Sequence, residues 1–295
     1  MELRWWYIFS FALGLASCNW FNPYDVPNSD EDFRYLTYFL PIESDSSVCF
    51  ISRAVDFSIP NVVEPYDICA QVKSGVGDVV SCGVVEMDTA RIWLGTGEIV
   101  SVEPGDSILL EVSSPSFDLI SAATVVPEKA SIISYSMTSR SFFNGEKYFD
   151  EFVVELSDPT SREEAFMFQL LAHIDTIGAP MPVLRGMKSD DTNMIRRKFG
   201  LSALDNTLFF DDSFWEGGSY TFSFRTRSRV EEGVPYHFTL LVHSISIDMF
   251  KYFSDLENSG FSGQFDGSGN VIHTNIDGAL GCFGALQTSH VLLFP

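Results

Sequence analysis

Short runs of β-branched and aromatic residues, most of them closed off by Gly, Pro, Asp or Ser, constrain the fold of this chain more than any other feature. Residues 34–40, 48–53, 66–73, 79–86 and 108–112 all read this way. Strands this short at this spacing suit a sandwich, whereas βαβ units would need helical stretches between them. Glu103-Pro104-Gly105-Asp106 is a turn with a mechanism: proline presets φ and glycine relieves the next position. Two further strands flank Pro127 across 116–138. The spacing therefore predicts a first domain at 33–138, an immunoglobulin- or transthyretin-like sandwich.

The remainder, 139–295, predicts a larger antiparallel β-sheet or barrel domain with one short helix. Residues 148–156 alternate apolar and polar side chains, break at Ser157-Asp158-Pro159-Thr160, and are expected to form a hairpin with 166–174. Residues 220–227 alternate strictly, which implies one wet face and one buried face. Residues 236–245 form a long apolar strand. Ser246 is placed to cap a helix over 246–257, with Asp248 in its first turn and Ile247, Phe250, Phe253 and Leu256 at helical spacing. The fold class expected is all-β, mainly antiparallel.

Composition sets the bounds. At about 100–200 residues per domain, 295 residues fit two domains. Forty acidic against eighteen basic residues leave a net charge of −22, which argues against nucleic acid and against docking through a polybasic face. With 45% apolar residues and 27 Phe, the chain can still bury a core.

The N-terminus says where the chain goes. Arg4 is followed by an apolar run from Trp5 to Ala16, too short to span a bilayer but right for a secretory signal. Leu15-Ala16-Ser17-Cys18 resembles the bacterial lipobox, so 1–17 reads as a lipoprotein signal peptide. Cys18 is then the acylated first residue of the mature chain, and buried acyl chains such as palmitate make a durable membrane anchor. Residues 18–32, rich in Asn, Pro and Asp, read as a flexible tether.

Four cysteines remain: Cys49, Cys69, Cys82 and Cys282. Without a CxxC pair or a Cys/His cluster, metal ligation and other cofactors are not expected. Cys69 and Cys82 are equidistant from a turn between Gly75 and Val76. A symmetric hairpin would place them opposite each other, where a disulfide can form; two small buried residues are the alternative.

No constellation of residues names a reaction, so a non-enzyme is expected. Gly260-Phe261-Ser262-Gly263-Gln264 lacks the closing Gly of a nucleophile elbow. Asp266-Gly267-Ser268-Gly269-Asn270 starts like a calcium loop, but has Val271 where Gly is needed. His173, His237, His243, His273 and His290 are scattered, and His237 and His243 lie about 20 Å apart along one strand. The one positive cluster is Arg185, Lys188, Arg196, Arg197 and Lys198, in the irregular stretch 178–206. It is a candidate partner contact, with a solvated loop as the plainer reading.

The C-terminal string Val271-Ile272-His273-Thr274-Asn275-Ile276-Asp277-Gly278-Ala279-Leu280-Gly281-Cys282-Phe283-Gly284-Ala285, with Val291-Leu292-Leu293-Phe294 at the end, carries a resemblance. It resembles the closing signature of the domain-of-unknown-function 4249 family, lipoproteins of Bacteroidota. Ser244-Ile245-Ser246 with Tyr252, Asp158-Pro159, and Phe210-Asp211-Asp212 before Tyr220 also fit, so the resemblance runs over roughly 33–294. The signature turn is Asn275, Ile276, Gly278, Gly281, Phe283 and Gly284. The resemblance implies no catalytic residues. It implies an outer-membrane lipoprotein, periplasm-facing or on the cell surface, that works as an accessory or binding component beside a TonB-dependent barrel transporter. A carbohydrate-directed hydrolase and a structural, adhesin-like module are the competing readings.

Overall fold

The computed structural model describes residues 34–41, 48–53, 69–74, 79–88, 91–96, 102–114, 117–143, 148–158, 163–174, 183–196, 207–213, 215, 218–227, 236–258 and 272–294. They form an all-β fold with one helix, and no closed barrel forms among them. The chain divides into two compact units. One comprises Met1–Pro127 with Ile245–Leu286, and the other Glu128–Ser244 with Gln287–Pro295. The two units thus alternate along the chain, each built from two segments, unlike the expected single division at residue 138. The reason is strand pairing: β8 (Ser131–Phe143) pairs along its length with β9 (Tyr148–Asp158), so it cannot close the first domain.

In the first unit, β1 (Arg34–Pro41), β2 (Val48–Arg53), β3 (Cys69–Ser74), β4 (Val79–Asp88), β5 (Arg91–Thr96), β6 (Ser107–Ser114) and β7 (Phe117–Val125) join the short β17 (Ile276–Asp277) and the start of β18 (Leu280–Leu293). The order is β18-β1-β2-β5-β4-β3-β6-β7-β17. The pairs β1–β2, β3–β4, β3–β6, β4–β5, β6–β7 and β7–β17 are antiparallel, whereas β1 runs parallel to β18 from Tyr35↔Leu280 to Pro41↔Leu286. The predicted turn forms: Asp106 N–H donates to Glu103 O at 3.0 Å, and Glu103 N–H donates to Asp106 Oδ2 at 2.9 Å.

Helix α1 (Ile247–Asn258) follows the predicted stripe, burying Met249, Phe250 and Phe253 while Lys251 stays exposed. Ser246 O accepts the N–H of Phe250, and Ser246 Oγ accepts the N–H of Ala285 on β18. The hydroxyl expected to cap the helix thus bonds the neighbouring strand, and the Ser246 carbonyl opens the helix. Gly284 explains how closely α1 lies on β18. A Cβ there would meet Met249 Cβ at 2.8 Å, so only hydrogen fits.

The second unit packs two sheets face to face. One holds β13 (Ile195–Arg196), β14 (Thr207–Asp211), β10 (Ala165–Ile174) and β16 (Tyr236–Ile245) in that order, with β11 (Val183–Arg185) beside β14 on the same edge of β10. The other runs β12 (Met187–Lys188), β15 (Gly218–Arg227), β9, β8. Phe rings fill the space between them. Phe152 of β9 meets Phe238 of β16 edge-on at 5.2 Å, and Phe222 of β15 meets Phe168 of β10 at 4.8 Å. Burying one such ring contributes about 1.5–3 kcal/mol, so this cluster dominates the unit's stability.

Two pairings depart from expectation. Strands β9 and β10 do not form a hairpin but enter different sheets, because both faces of β10 are apolar and it must be covered on both sides. In the β3–β4 hairpin, Cys69 faces Val84 and Cys82 faces Gln71. Lys73 pairs with Val79, and a register shift at Val72/Lys73 moves the pairing further from the symmetric one. The two cysteines are diagonal neighbours, about 7–8 Å apart between Cα atoms, beyond disulfide reach. Cys69 is accordingly a free thiol.

Candidate functional site

The signature segment proves to be a backbone clamp. Asn275 donates from Nδ2 to Ala123 O at 2.9 Å and to Phe283 O at 2.8 Å, and its Oδ1 accepts the N–H of Phe283 at 2.9 Å. One amide thus ties β18 to the end of β7, 152 positions earlier. Ile276 pairs with Ala122 and is buried, which fixes β17 at the sheet edge. Gly278 takes φ +82°, and a Cβ there would press to 3.2 Å on Leu119 O. Gly281 (φ 126°), Phe283 (fully buried) and Gly284 continue the same close packing. All six signature residues serve the joint between β7, β17, β18 and α1.

Beside the clamp, His273 Nε2 lies 3.0 Å from Asp248 Oδ1, and Asp255 Oδ2 accepts the His273 N–H at 2.8 Å. The nearby Cys282 is fully buried, and burial first, then the Asp248 carboxylate, push its thiol well above the ordinary range. A thiol held protonated and out of solvent has no use as a nucleophile.

Of the basic cluster, one member is withdrawn from the surface. Arg185, on β11, is buried, while Lys188, on β12, is exposed and stands in register with Arg225. Arg196 lies in β13, and Arg197 and Lys198 fall outside the described residues. Burial removes Arg185 from any rim that a partner could touch. Cys18, the strings at 260–264 and 266–270, and the tether likewise lie outside the described residues.

The structure brings two of the five histidines together. His173 and His237 stack in parallel at 4.6 Å, His173 Nε2 meets Thr239 Oγ1 at 2.9 Å, and Phe294 stacks on His237. His243 is buried between Thr288, 2.8 Å from Nδ1, and Gln169, whose Oε1 lies 3.3 Å from Nε2. The Gln169 oxygen can only accept, so Nε2 carries the proton and Nδ1 accepts the Thr288 hydroxyl. Among the described residues no group of three or more His, Cys, Asp or Glu is placed to hold a metal ion.

Sequence reading missed the outer face of the β8-β9-β15 sheet. Register places Ser131, Ser157 and Ser219 in one row, Ser134, Glu155 and Thr221 in the next, then Ser136, Val153 and Ser223, then Thr138, Glu151 and Arg225. Eight hydroxyls thus share a flat face, with strands about 4.8 Å apart. Glu155 sits at its centre and accepts from Ser134 Oγ and Ser219 Oγ, each at 2.8 Å. Those two hydrogen bonds, Ser134 first, hold its carboxyl below the usual range. At the β15 margin Arg225 pairs with Asp190, and Tyr220 donates to Asp191. Burial, then that bond, raises the Tyr220 phenol to about 12. The face is polar: it presents hydrogen-bond donors and acceptors and a carboxylate held by two hydroxyls. The signal was available in the alternation Ser219, Thr221, Ser223.

No family model matches the chain, and no curated protein matches it. Solved structures that align with the chain include a DUF4785 family protein from Legionella pneumophila, at 15% identity and TM-score 0.25, over 76% of this chain and 59% of that one. The alpha-2-macroglobulin of Salmonella aligns at 11% identity and TM-score 0.25, over 78% of this chain and 14% of that one. A collagen adhesin from S. aureus aligns at 8% identity and TM-score 0.21, over 90% and 96%. The chain therefore spans under two thirds of the Legionella protein and about a seventh of the macroglobulin.

Proposed function

We propose that this chain is a lipoprotein anchored in the outer membrane through acylated Cys18, and that it works as a non-enzymatic binding or accessory component beside a TonB-dependent transporter. The observation that carries the binding part is the outer face of β8, β9 and β15. Its eight hydroxyls and the ionised Glu155 are set for hydrogen bonding to a polar ligand or partner surface rather than for bond cleavage. The anchoring part rests on Leu15-Ala16-Ser17-Cys18, and the transporter on the resemblance of 271–294 to the domain-of-unknown-function 4249 signature.

Two measurements test the reading. Cys18→Ala should move the protein from membranes to the soluble fraction; continued membrane association would place the anchor elsewhere. A pull-down from solubilised outer membrane should recover a stoichiometric barrel protein. Turnover of glycans without such a partner would instead favour a carbohydrate-directed hydrolase.

A further inference from the structure

Strand β8 is a sheet edge: among the described residues its one strand neighbour is β9. Edges in natural sheets are usually blunted by Lys, Pro, short length or a cover, because bare N–H and C=O groups invite another strand. Here β8 runs 13 residues, and positions 131–139 carry neither a charge nor a proline, in a chain with 58 charged residues, 40 acidic and 18 basic. Register shifts at Ile132/Ser134 and Thr138/Phe142 bracket a regular window from Ser134 to Thr138. Within it, Tyr135 faces the core side opposite the fully buried Val154, yet remains 49% exposed, because no strand among the described residues covers its far flank.

We propose that this edge pairs with the same edge of a second copy of the chain, antiparallel about a two-fold axis at Ser136. Antiparallel partners share a face, so a symmetric pairing must set one residue against itself, and the centre of the regular window is Ser136. That register sets Tyr135 against Met137 twice on the core side and Ser134 against Thr138 twice on the hydroxyl side. Apolar meets apolar, hydroxyl meets hydroxyl, and no charge faces its own image. The added strand covers the open flank of Tyr135 and continues the hydroxyl-lined face into the second copy. A window of five residues makes a small interface, so the dimer is weak and reversible. Each copy carries a net charge of −22, so salt strengthens the pairing by screening.

Sedimentation velocity of the full chain tests this over rising concentration at low salt and at about 0.5 M salt. The expected result is a mass that moves toward twice the monomer's, further at high salt. Tyr135→Lys should hold the monomer mass with an unchanged thermal midpoint. Ser136→Cys under mild oxidation should yield a covalent dimer whose linked peptide joins position 136 to position 136, above the wild-type background from Cys69, whereas Ser134→Cys should not self-link. A monomer at every concentration and both salts overturns the proposal. So does a dimer indifferent to Tyr135→Lys, or equal linkage at 134 and 136. Capture of an extended peptide by β8 while the chain itself stays monomeric also overturns it, by assigning the edge to a different protein.

Discussion

Acidification should destabilise this protein through one buried imidazole. Burial alone lowers the pKa of His243 from 6.5 to about 4, since the charged form has no water around it. The folded chain thus holds this proton less tightly than the unfolded chain. Above pH 6.5 neither state is protonated at His243 and the group costs nothing. Between 6.5 and about 4 only the unfolded state takes up the proton, and stability falls; below about 4 the effect of this group levels off. A drop from 6.5 to about 4 is worth about 3 kcal/mol. That is a large share of the roughly 5–15 kcal/mol available to a typical domain. The assay is urea unfolding of wild type and His243→Gln across this pH range. The variant should be less stable at neutral pH by about 1–2 kcal/mol, through poorer contact with Thr288 and Gln169. Because Gln does not titrate, the gap should close or reverse as the pH falls toward 4.5. The forty acidic residues titrate in both proteins and cancel in the difference. A gap that stays constant with pH would refute the reasoning.

Three further outcomes follow from the geometry. Asn275→Ala removes three hydrogen bonds to the backbone and should lower unfolding free energy by about 2–3 kcal/mol in a denaturant titration. Gly284→Ala puts a methyl 2.8 Å from Met249 Cβ and should cost about 1–3 kcal/mol, with the loss visible in the thermal midpoint. Replacing both Ser134 and Ser219 by Ala should raise the Glu155 pKa in a carboxyl NMR titration, Ser134 contributing more. The Glu155 carboxylate is stabilised by folding, so this contribution is present above its unfolded pKa and fades as pH falls through the lower folded value.

Local pattern was legible where it decides which way a side chain points. The alternation at 220–227 put Phe222 and Phe224 inside and Thr221 and Ser223 outside, as observed. Ser246 and the Phe stripe located α1 to within a residue. Partner choice was not legible. Strands β9 and β10 are adjacent in sequence, and only the packing of both faces of β10 decides that they separate. The register of β3 on β4 turned on one extra residue, which periodicity does not reveal. Five neighbouring cations looked like one surface until β11 buried Arg185. The clamp was flagged as a turn, but its purpose depends on Ala123, 152 positions away. Glu155 is likewise defined by Ser134 and Ser219, from two other strands.

The alternation of the two units along the chain gives the clamp its weight. The first unit is built from two distant pieces of chain, and its late piece supplies α1, β17 and the first half of β18. Without contacts that recognise both pieces, the free ends of β7 and β1 would each face water with a row of unpaired backbone groups. β18 answers one by running parallel to β1, a pairing that local turns cannot produce and that requires a long connection. Asn275 and β17 answer the other at Ala122 and Ala123. An amide side chain suits this task because it both donates and accepts, and so can satisfy the backbone of β7 and β18 together. A glycine at 284 then lets α1 close over β18 where a side chain would hold it off. The segment that looked most like a signature is therefore the place where closing the chain on itself demands particular residues, which is a structural reason for its glycines and its asparagine.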